Sequence, residues 1–296
     1  MLDRKELHSK FLGLGWGNEP QSDSIFDFLA AAAEQMPPGA VVLDLGAGQS
    51  RYSFFFEHCH YLAVDFALGD AKWDYSRLDM VGDVCSPGFI RDRRVDFVLN
   101  TVTLEHLNEP GNFMAETARV LKPGGMLFLC VPMTANEHQV PYDFFRYTSY
   151  GLRHLCEKAG LEVVSCLPSN GPLYTASRLL DIFLGAVQVE SIPLRILRKG
   201  MRGLINYVIS PICDWFDRYP TDMVLPMLWL LTAKKQGELS VTPAESSKEV
   251  VIRQIVQCPE CRGSLTETRE GYSCVPCKTL FPTTGKQINF LSKRSC

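Results

Sequence analysis

At 296 residues the chain has room for one large or two smaller domains, and its 46% hydrophobic and 21% charged content excludes a disordered or fibrous class. The net charge is only −3, so no overall acidic or basic field points to a partner. No apolar run reaches the roughly 18 residues of a membrane helix, and Met1–Glu6 lacks the layout of a signal peptide, so the cytoplasm is the default expectation.

Residues 1–22 are polar and carry Gly13, Gly15, Gly17 and Pro20, which reads as loop. Ser22-Asp23-Ser24 can cap a helix running to about Gln35, and Pro37-Pro38-Gly39 ends it. Strand and helix patterns then alternate. Strands are expected at 41–45, 61–65, 79–82, 95–100, 126–131 and 161–166, and helices near 50–57, 110–121 and 149–159. Lys122-Pro123-Gly124-Gly125 is a turn signal, and residues 225–233 read as a closing strand. This alternation predicts a mainly parallel sheet with helices on both faces.

Between the sixth and last strands the chain holds an extra segment, about 172–222. From Pro193 its pattern is helical, with Leu194, Leu197, Met201, Leu204 and Val208 on one face and Arg195, Arg198, Lys199 and Arg202 opposite, until Pro211 breaks it. The plain expectation is a helix covering the sheet or roofing a pocket; the sharper one is a surface lying on an anionic membrane. Residues 235–249 read as a polar linker. The domain layout expected is 1–234, linker 235–249 and a small module at 250–296. That module is basic: residues 248–296 hold eight Lys/Arg against four Asp/Glu, a net of +4, which leaves −7 for the rest. A solvated surface is the simpler reading, and contact with an acidic partner or nucleic acid the other.

The apolar run Val41–Leu45 followed by Gly46-Ala47-Gly48 reads as a buried parallel strand and a tight turn into a helix, a place where backbone approaches a ligand. Asp65 ends the next strand and Asp83 the third. With Asp44 this puts three acids at one sheet edge, where ligands of open α/β sheets sit, and suits a cationic ligand better than a pyrophosphate. A dinucleotide fingerprint fits worse, because its third glycine falls at Arg51.

Asp44-Leu45-Gly46-Ala47-Gly48, Asp65, Asp83, Leu104-Glu105-His106-Leu107 and Val120-Leu121-Lys122-Pro123-Gly124-Gly125 resemble, in order and spacing, the motifs of class I S-adenosylmethionine-dependent methyltransferases of the bacterial type-11 kind, over about residues 38–166. One departure is Ser50, where many members have a further glycine. The resemblance implies an α/β fold, with a Rossmann-like seven-stranded sheet and helices on both faces. It also implies that Asp65 takes the ribose hydroxyls, that Asp83 and the Val84 backbone face the adenine, and that Gly46, Gly48 and Asp44 surround the methionine end.

Cys258-Pro-Glu-Cys261 and Cys274-Val-Pro-Cys277, twelve residues apart, have the spacing of a structural zinc site on two knuckles. All four positions are filled by protein, so the metal holds a fold too small for a core of its own. The other seven cysteines are scattered and read as small core hydrophobes, without a disulfide framework. The surrounding sequence, about 255–292, resembles a zinc-ribbon family that includes the small activator subunit of eukaryotic tRNA- and protein-methylating enzymes.

Methyl transfer needs an aligned acceptor, and for a hydroxyl acceptor a general base. His106 follows the fourth strand and reads as a cofactor or acceptor contact, or as a local structural group. The segment from His138 to Thr148, dense in ionisable and aromatic groups, resembles a loop bordering the acceptor pocket in a bacterial subset of these enzymes. His138 is the candidate base, with Tyr142, Asp143 and Arg146 orienting it; alternatively Asp143 and Arg146 pair to fix the loop. The function expected is a methyltransferase acting on a small-molecule or glycan- or lipid-linked acceptor, with oxygen preferred as the acceptor atom. The rivals are an RNA or protein methyltransferase recruited through the ribbon, and a non-enzymatic cofactor-binding partner or activator. No transmembrane segment is expected, and peripheral membrane contact stays open.

Overall fold

The computed structural model describes residues 3–13, 20–69, 72–241 and 247–291. Two helices, α1 (Arg4–Leu12) and α2 (Pro20–Glu34), precede the sheet. The expected N-terminal loop is therefore partly helix: Asp3 caps α1 by accepting from the Lys5 N–H, and Leu7 and Phe11 bury its inner face. The second helix starts earlier than the Ser22–Ser24 signal, at Pro20, a residue preorganised for a first turn.

The sheet strands are β1 (Val41–Leu45), β2 (His60–Asp65), β3 (Met80–Val81), β4 (Val95–Thr101), β5 (Leu121–Pro132), β6 (Leu161–Pro168) and β7 (Leu228–Lys235). Their order is β6-β7-β5-β4-β1-β2-β3, with β7 antiparallel to both neighbours and the other pairs parallel. β1 is buried along its whole length, as a strand covered on both faces must be. One face packs with α3 (Pro110–Val120) and α4 (Ser149–Lys158), the other with α1 and α2. The Lys122–Gly125 turn is a bulge inside β5: Leu121 pairs with Val95, and pairing resumes at Met126 opposite Phe97. The helix expected near 50–57 is a short 3-10 turn, Ser53–Phe56, because Ser50 takes a left-handed φ of 53° and Phe55 and Phe56 are drawn into the core.

The sheet does not stop at seven strands. The C-terminal strands β8 (Thr266–Thr268), β9 (Gly271–Cys274), β10 (Thr279–Thr284) and β11 (Gln287–Asn289) extend it to eleven. The join is the parallel pair β3–β11, in which Ile288 and Phe290 donate their N–H groups to the Asp79 and Val81 carbonyls at 3.0 and 2.8 Å. Phe290 stacks on Phe89 with ring centres 4.6 Å apart. α8 (Lys248–Ile255) buries Val251, Ile252 and Ile255 in the same core as the central strands. Gln257 also bonds the Phe89 backbone, at 2.8 Å. Residues 242–246 of the expected linker 235–249 lie outside the described residues, and Lys248 and Glu249 belong to α8; a two-residue edge strand leaves pairing capacity that β11 fills.

Helices α5 (Pro172–Ala186), α6 (Ile192–Leu204) and α7 (Ser210–Phe216) form the extra segment. Pro211 does not break the helix. A π turn, Ile205–Ile209, carries α6 into α7 and sets Pro211 in the first turn, where its missing N–H costs nothing.

Candidate functional site

The turn after β1 is held from three sides. Asn100 donates its side-chain amide to the Leu45 carbonyl at 2.7 Å. Gly46 has φ 89°, and a Cβ there would lie 2.3 Å from Thr103 Cγ2, so no other residue fits without displacing that side chain. Gly48 donates its N–H to Asp65 Oδ2 at 2.9 Å, and Ala67 donates to Oδ1 at 2.7 Å. Asp65 thus braces the turn, and each of its oxygens keeps a second acceptor site. Burial pushes its carboxyl above the ordinary range, against the pull of those amides. Ser50, which departs from the glycine-rich pattern, is buried in a left-handed conformation that glycine adopts more cheaply.

Asp44 lies beneath the turn. The Tyr61 hydroxyl donates to its Oδ2, while Oδ1 is buried with no hydrogen-bond partner. Burial raises the carboxyl to about 7, and the charge of Asp65 acts in the same direction. An orphaned acceptor beside a close-approach glycine turn fits a ligand that brings a cationic donor. At the third strand, Asp83 accepts the Cys85 N–H at 2.8 Å. Gly46, Gly48, Asp44, Asp65, Asp83 and Val84 all line one cavity of about 630 Å³. Phe66, Leu68 and Trp73 supply an apolar wall, which suits an adenosine-like group.

The same cavity is also lined by His106, His138 and Tyr142. Each imidazole has its tautomer set by a backbone carbonyl. His106 Nδ1 lies 2.6 Å from the Tyr142 oxygen and His138 Nδ1 lies 3.0 Å from the Asn136 oxygen, so both donate through Nδ1 and keep Nε2 as an acceptor. The rings meet edge to face, 4.7 Å between centres. Glu105 lies between them and is 0% exposed, with Oε1 3.8 Å from each Nε2. Neither Glu105 oxygen has a hydrogen-bond partner, and burial lifts its carboxyl to about 8. Burial also lowers the His106 imidazole.

Asp143 is not on the cavity wall. It pairs with Arg146 at 2.6 and 2.8 Å and accepts the His138 backbone N–H at 2.8 Å. The guanidinium holds its carboxyl well below the usual range. Its Oδ2 also lies 3.4 Å from His138 Nδ1, so the carboxylate that fixes the loop also faces the imidazole that it was expected to orient. Tyr61, Trp73, Thr103 and Glu105 were not legible as site residues. The available signals were an acid between leucines at 104–107 and an aromatic pair, Trp73 and Tyr75, in a polar loop.

In the C-terminal strands, Cys258, Cys261, Cys274 and Cys277 bring their sulfurs within 4.8 Å of one another. The Cys258–Cys277 and Cys261–Cys274 separations are 3.9 and 3.5 Å. A tetrahedral zinc site with arms of about 2.3 Å needs roughly 3.8 Å between sulfurs, so the donor set fits that metal.

Residues 43–129 match the model of a family described as a methyltransferase domain. The tRNA (carboxymethyluridine(34)-5-O)-methyltransferase of Arabidopsis thaliana is 26% identical over 137 residues, which is 45% of this chain and 33% of that protein. The demethylmenaquinone methyltransferase of Renibacterium salmoninarum is 34% identical over 126 residues, 40% of this chain and 51% of that protein. The chain thus spans about a third to a half of the length of these curated relatives. Similar solved structures include a Burkholderia thailandensis 1,6-didemethyltoxoflavin-N1-methyltransferase, with 17% identity, 79% of this chain and 87% of that one covered, and a TM-score of 0.46. The matched residues 43–129 supply Asp44, Gly46, Gly48, Asp65, Asp83, Val84 and His106 to the cavity. Among the described residues no helix is long and apolar enough to cross a membrane.

Proposed function

We propose that this chain transfers a methyl group from S-adenosylmethionine to an oxygen of a small-molecule or glycan- or lipid-linked acceptor, with His138 taking the acceptor proton. The observation that carries this is one cavity lined by two chemically different sets of residues: the glycine turn, strand-end acids and apolar wall, and the imidazoles of His106 and His138. When bound, the donor supplies an electrophilic methyl. Asp65 would hold the ribose hydroxyls, Asp83 and Val84 the base, and Asp44 with Gly46 and Gly48 the amino-acid end.

The chain's own part in the chemistry is proton handling. His138 Nε2 is free to accept because Nδ1 is engaged with the Asn136 carbonyl. Glu105 Oε1 lies 3.8 Å from that Nε2, so a neutral Glu105 leaves the lone pair to the acceptor proton, and an ionised one would stabilise the imidazolium that forms when His138 takes it. Tyr142 and the Asp143–Arg146 pair hold the loop that carries the base. Four cysteines holding a structural zinc would fix the terminal strands against β3, and the resemblance of that module to methyltransferase activators supports a role in stabilising the cofactor end.

A second reading, an RNA or protein acceptor recruited through the terminal module, is supported by its net charge of +4 and by a curated relative named as a tRNA methyltransferase. The test is incubation of the zinc-loaded chain with radiolabelled S-adenosylmethionine and separated lipid, glycan, small-molecule, RNA and protein fractions. Label in the lipid, glycan or small-molecule fraction, stable to base and assigned to an O-methyl group by fragmentation of the product, supports the first reading. Label confined to RNA or protein rejects it for the second, and donor binding without transfer to any fraction favours a non-enzymatic role.

A further inference from the structure

The helical segment between β6 and β7 is built with inverted polarity. Where α5 meets α6 and α7, the buried groups beside Tyr174 and Ile205 are polar: Thr175, Ser177, Asp181 and Ser210. Arg202 clamps Asp181 at 2.7 and 3.0 Å, Ser177 and Ser210 share a hydrogen bond of 2.8 Å, and Arg178 donates to Asn206 at 2.6 Å. The outward sides are apolar. Phe183 and Ile192 are each 70% exposed and Tyr207 85%, and Leu197, Met201 and Trp215 continue the surface. α6 buries none of its own side chains, so it neither covers the sheet nor roofs the cavity, contrary to the plain sequence expectation.

In water this arrangement is the wrong way round: the apolar stripe of a helix should face a core. Exposed apolar surface of this extent marks a contact with something else. A polar interior with an apolar exterior is the arrangement that hydrocarbon surroundings favour, since polar groups there must bond one another. The charge on α6 then selects the surroundings. It carries Arg195, Arg198, Lys199 and Arg202 and no acid. Arg202 is used internally on Asp181, and Arg195 and Arg198 donate to the carbonyls of Val189 and Val187 while keeping their charge. Lys199 is exposed. Three cations thus flank the apolar stripe, as a helix lying in an anionic lipid interface requires.

We propose that α5, α6 and α7 form a docking surface for an anionic bilayer, lying in the headgroup region with the apolar side of α6 inserted and Arg195, Arg198 and Lys199 at the phosphate level. The inference does not depend on the reaction proposed above. The hairpin inserts in one leaflet only, since no described helix is able to cross a membrane.

The experiment is flotation of the zinc-loaded full chain with phosphatidylcholine vesicles, alone and with one quarter phosphatidylglycerol. Wild type should float with the anionic vesicles, and less at high salt. Leu197→Glu/Met201→Glu alters only exposed positions and should abolish flotation, with circular dichroism and calorimetric binding of S-adenosylmethionine unchanged. Arg195→Glu/Lys199→Glu should weaken binding to the anionic vesicles at least tenfold, at about fivefold per cation, and leave binding to neutral vesicles unaltered. Wild type that floats with neither vesicle overturns the proposal. So does a solution dimer that Leu197→Glu/Met201→Glu dissociates without any vesicle binding, which assigns the face to a second copy of this chain. Flotation that the charge reversal leaves intact refutes the choice of an anionic surface.

Discussion

Glu105→Gln isolates the cost of a charge in the middle of this protein. Glu105 is fully buried, both oxygens lack hydrogen-bond partners, and its carboxyl titrates near 8 in the fold against about 4.5 unfolded. A raised carboxyl means that the folded state binds the proton more tightly. Stability is then greatest below the unfolded value and falls as pH rises towards the folded one. Between pH 5.5 and 8 the folded chain keeps the proton and the unfolded chain does not. The slope is therefore about −1.36 kcal/mol per pH unit, or roughly 3 kcal/mol across that window after rounding off near the midpoint. Asp44, raised to about 7, adds a fall of the same sign, and the cysteines add their own pH dependence. Both are common to wild type and variant and cancel in the difference. Urea unfolding of the two proteins at half-unit steps should give a wild-type minus Glu105→Gln stability that declines by about 3 kcal/mol from pH 5.5 to 8 and flattens above it. A difference that stays constant with pH would refute the claim that this carboxyl is protonated in the fold.

Asp65→Ala should weaken S-adenosylmethionine binding at least tenfold by calorimetry, since hydrogen bonds to a charged group contribute about 1.5–3 kcal/mol; the loss includes the brace on Gly48. His138→Ala should lower kcat by about 10²–10⁴ with donor affinity unchanged, once an acceptor is found; an unaltered kcat removes it as the base. Chelation of metal, or Cys274→Ser, should loosen residues from about 255 onward and also lower donor affinity, because β11 pairs with the outer side of β3; hydrogen exchange that spreads into Met80–Asp83 is the readout. Phe290→Ala should cost about 3–5 kcal/mol of unfolding free energy, as it empties the stack on Phe89.

The central strands were legible because each is an apolar run ended by Gly or Asp, and burial on both faces leaves little else for such a run to do. The cavity's acid-lined part followed from that, since Asp44, Asp65 and Asp83 sit at strand ends and the topology carries them to one edge. The histidine-lined part was legible only in part. His138 was readable as a ring in an ionisable loop, but Glu105, whose burial gives the pair its chemistry, depends on a contact across 33 residues that no local pattern encodes. The helix expected after Gly48 failed because Ser50 turns left-handed and the phenylalanines that follow are taken by the core. The helical segment had the right amphipathic face in sequence and the wrong neighbour. Periodicity locates a stripe and cannot say whether protein or lipid covers it.

The two-residue strand β3 has β2 on one side and, about two hundred residues further along the chain, β11 on the other. On a ribosome this gives the protein an order of completion. The glycine turn and the histidines precede β11 in the chain, so the strand that leads into Asp83 stays open at its outer edge until Gln287–Asn289 has been made. If the four cysteines hold zinc as proposed, that segment sets only once the metal is bound. A chain made without zinc would present a folded body with a bare strand edge, the kind of surface that recruits other chains. Metal supply would then govern how many molecules mature.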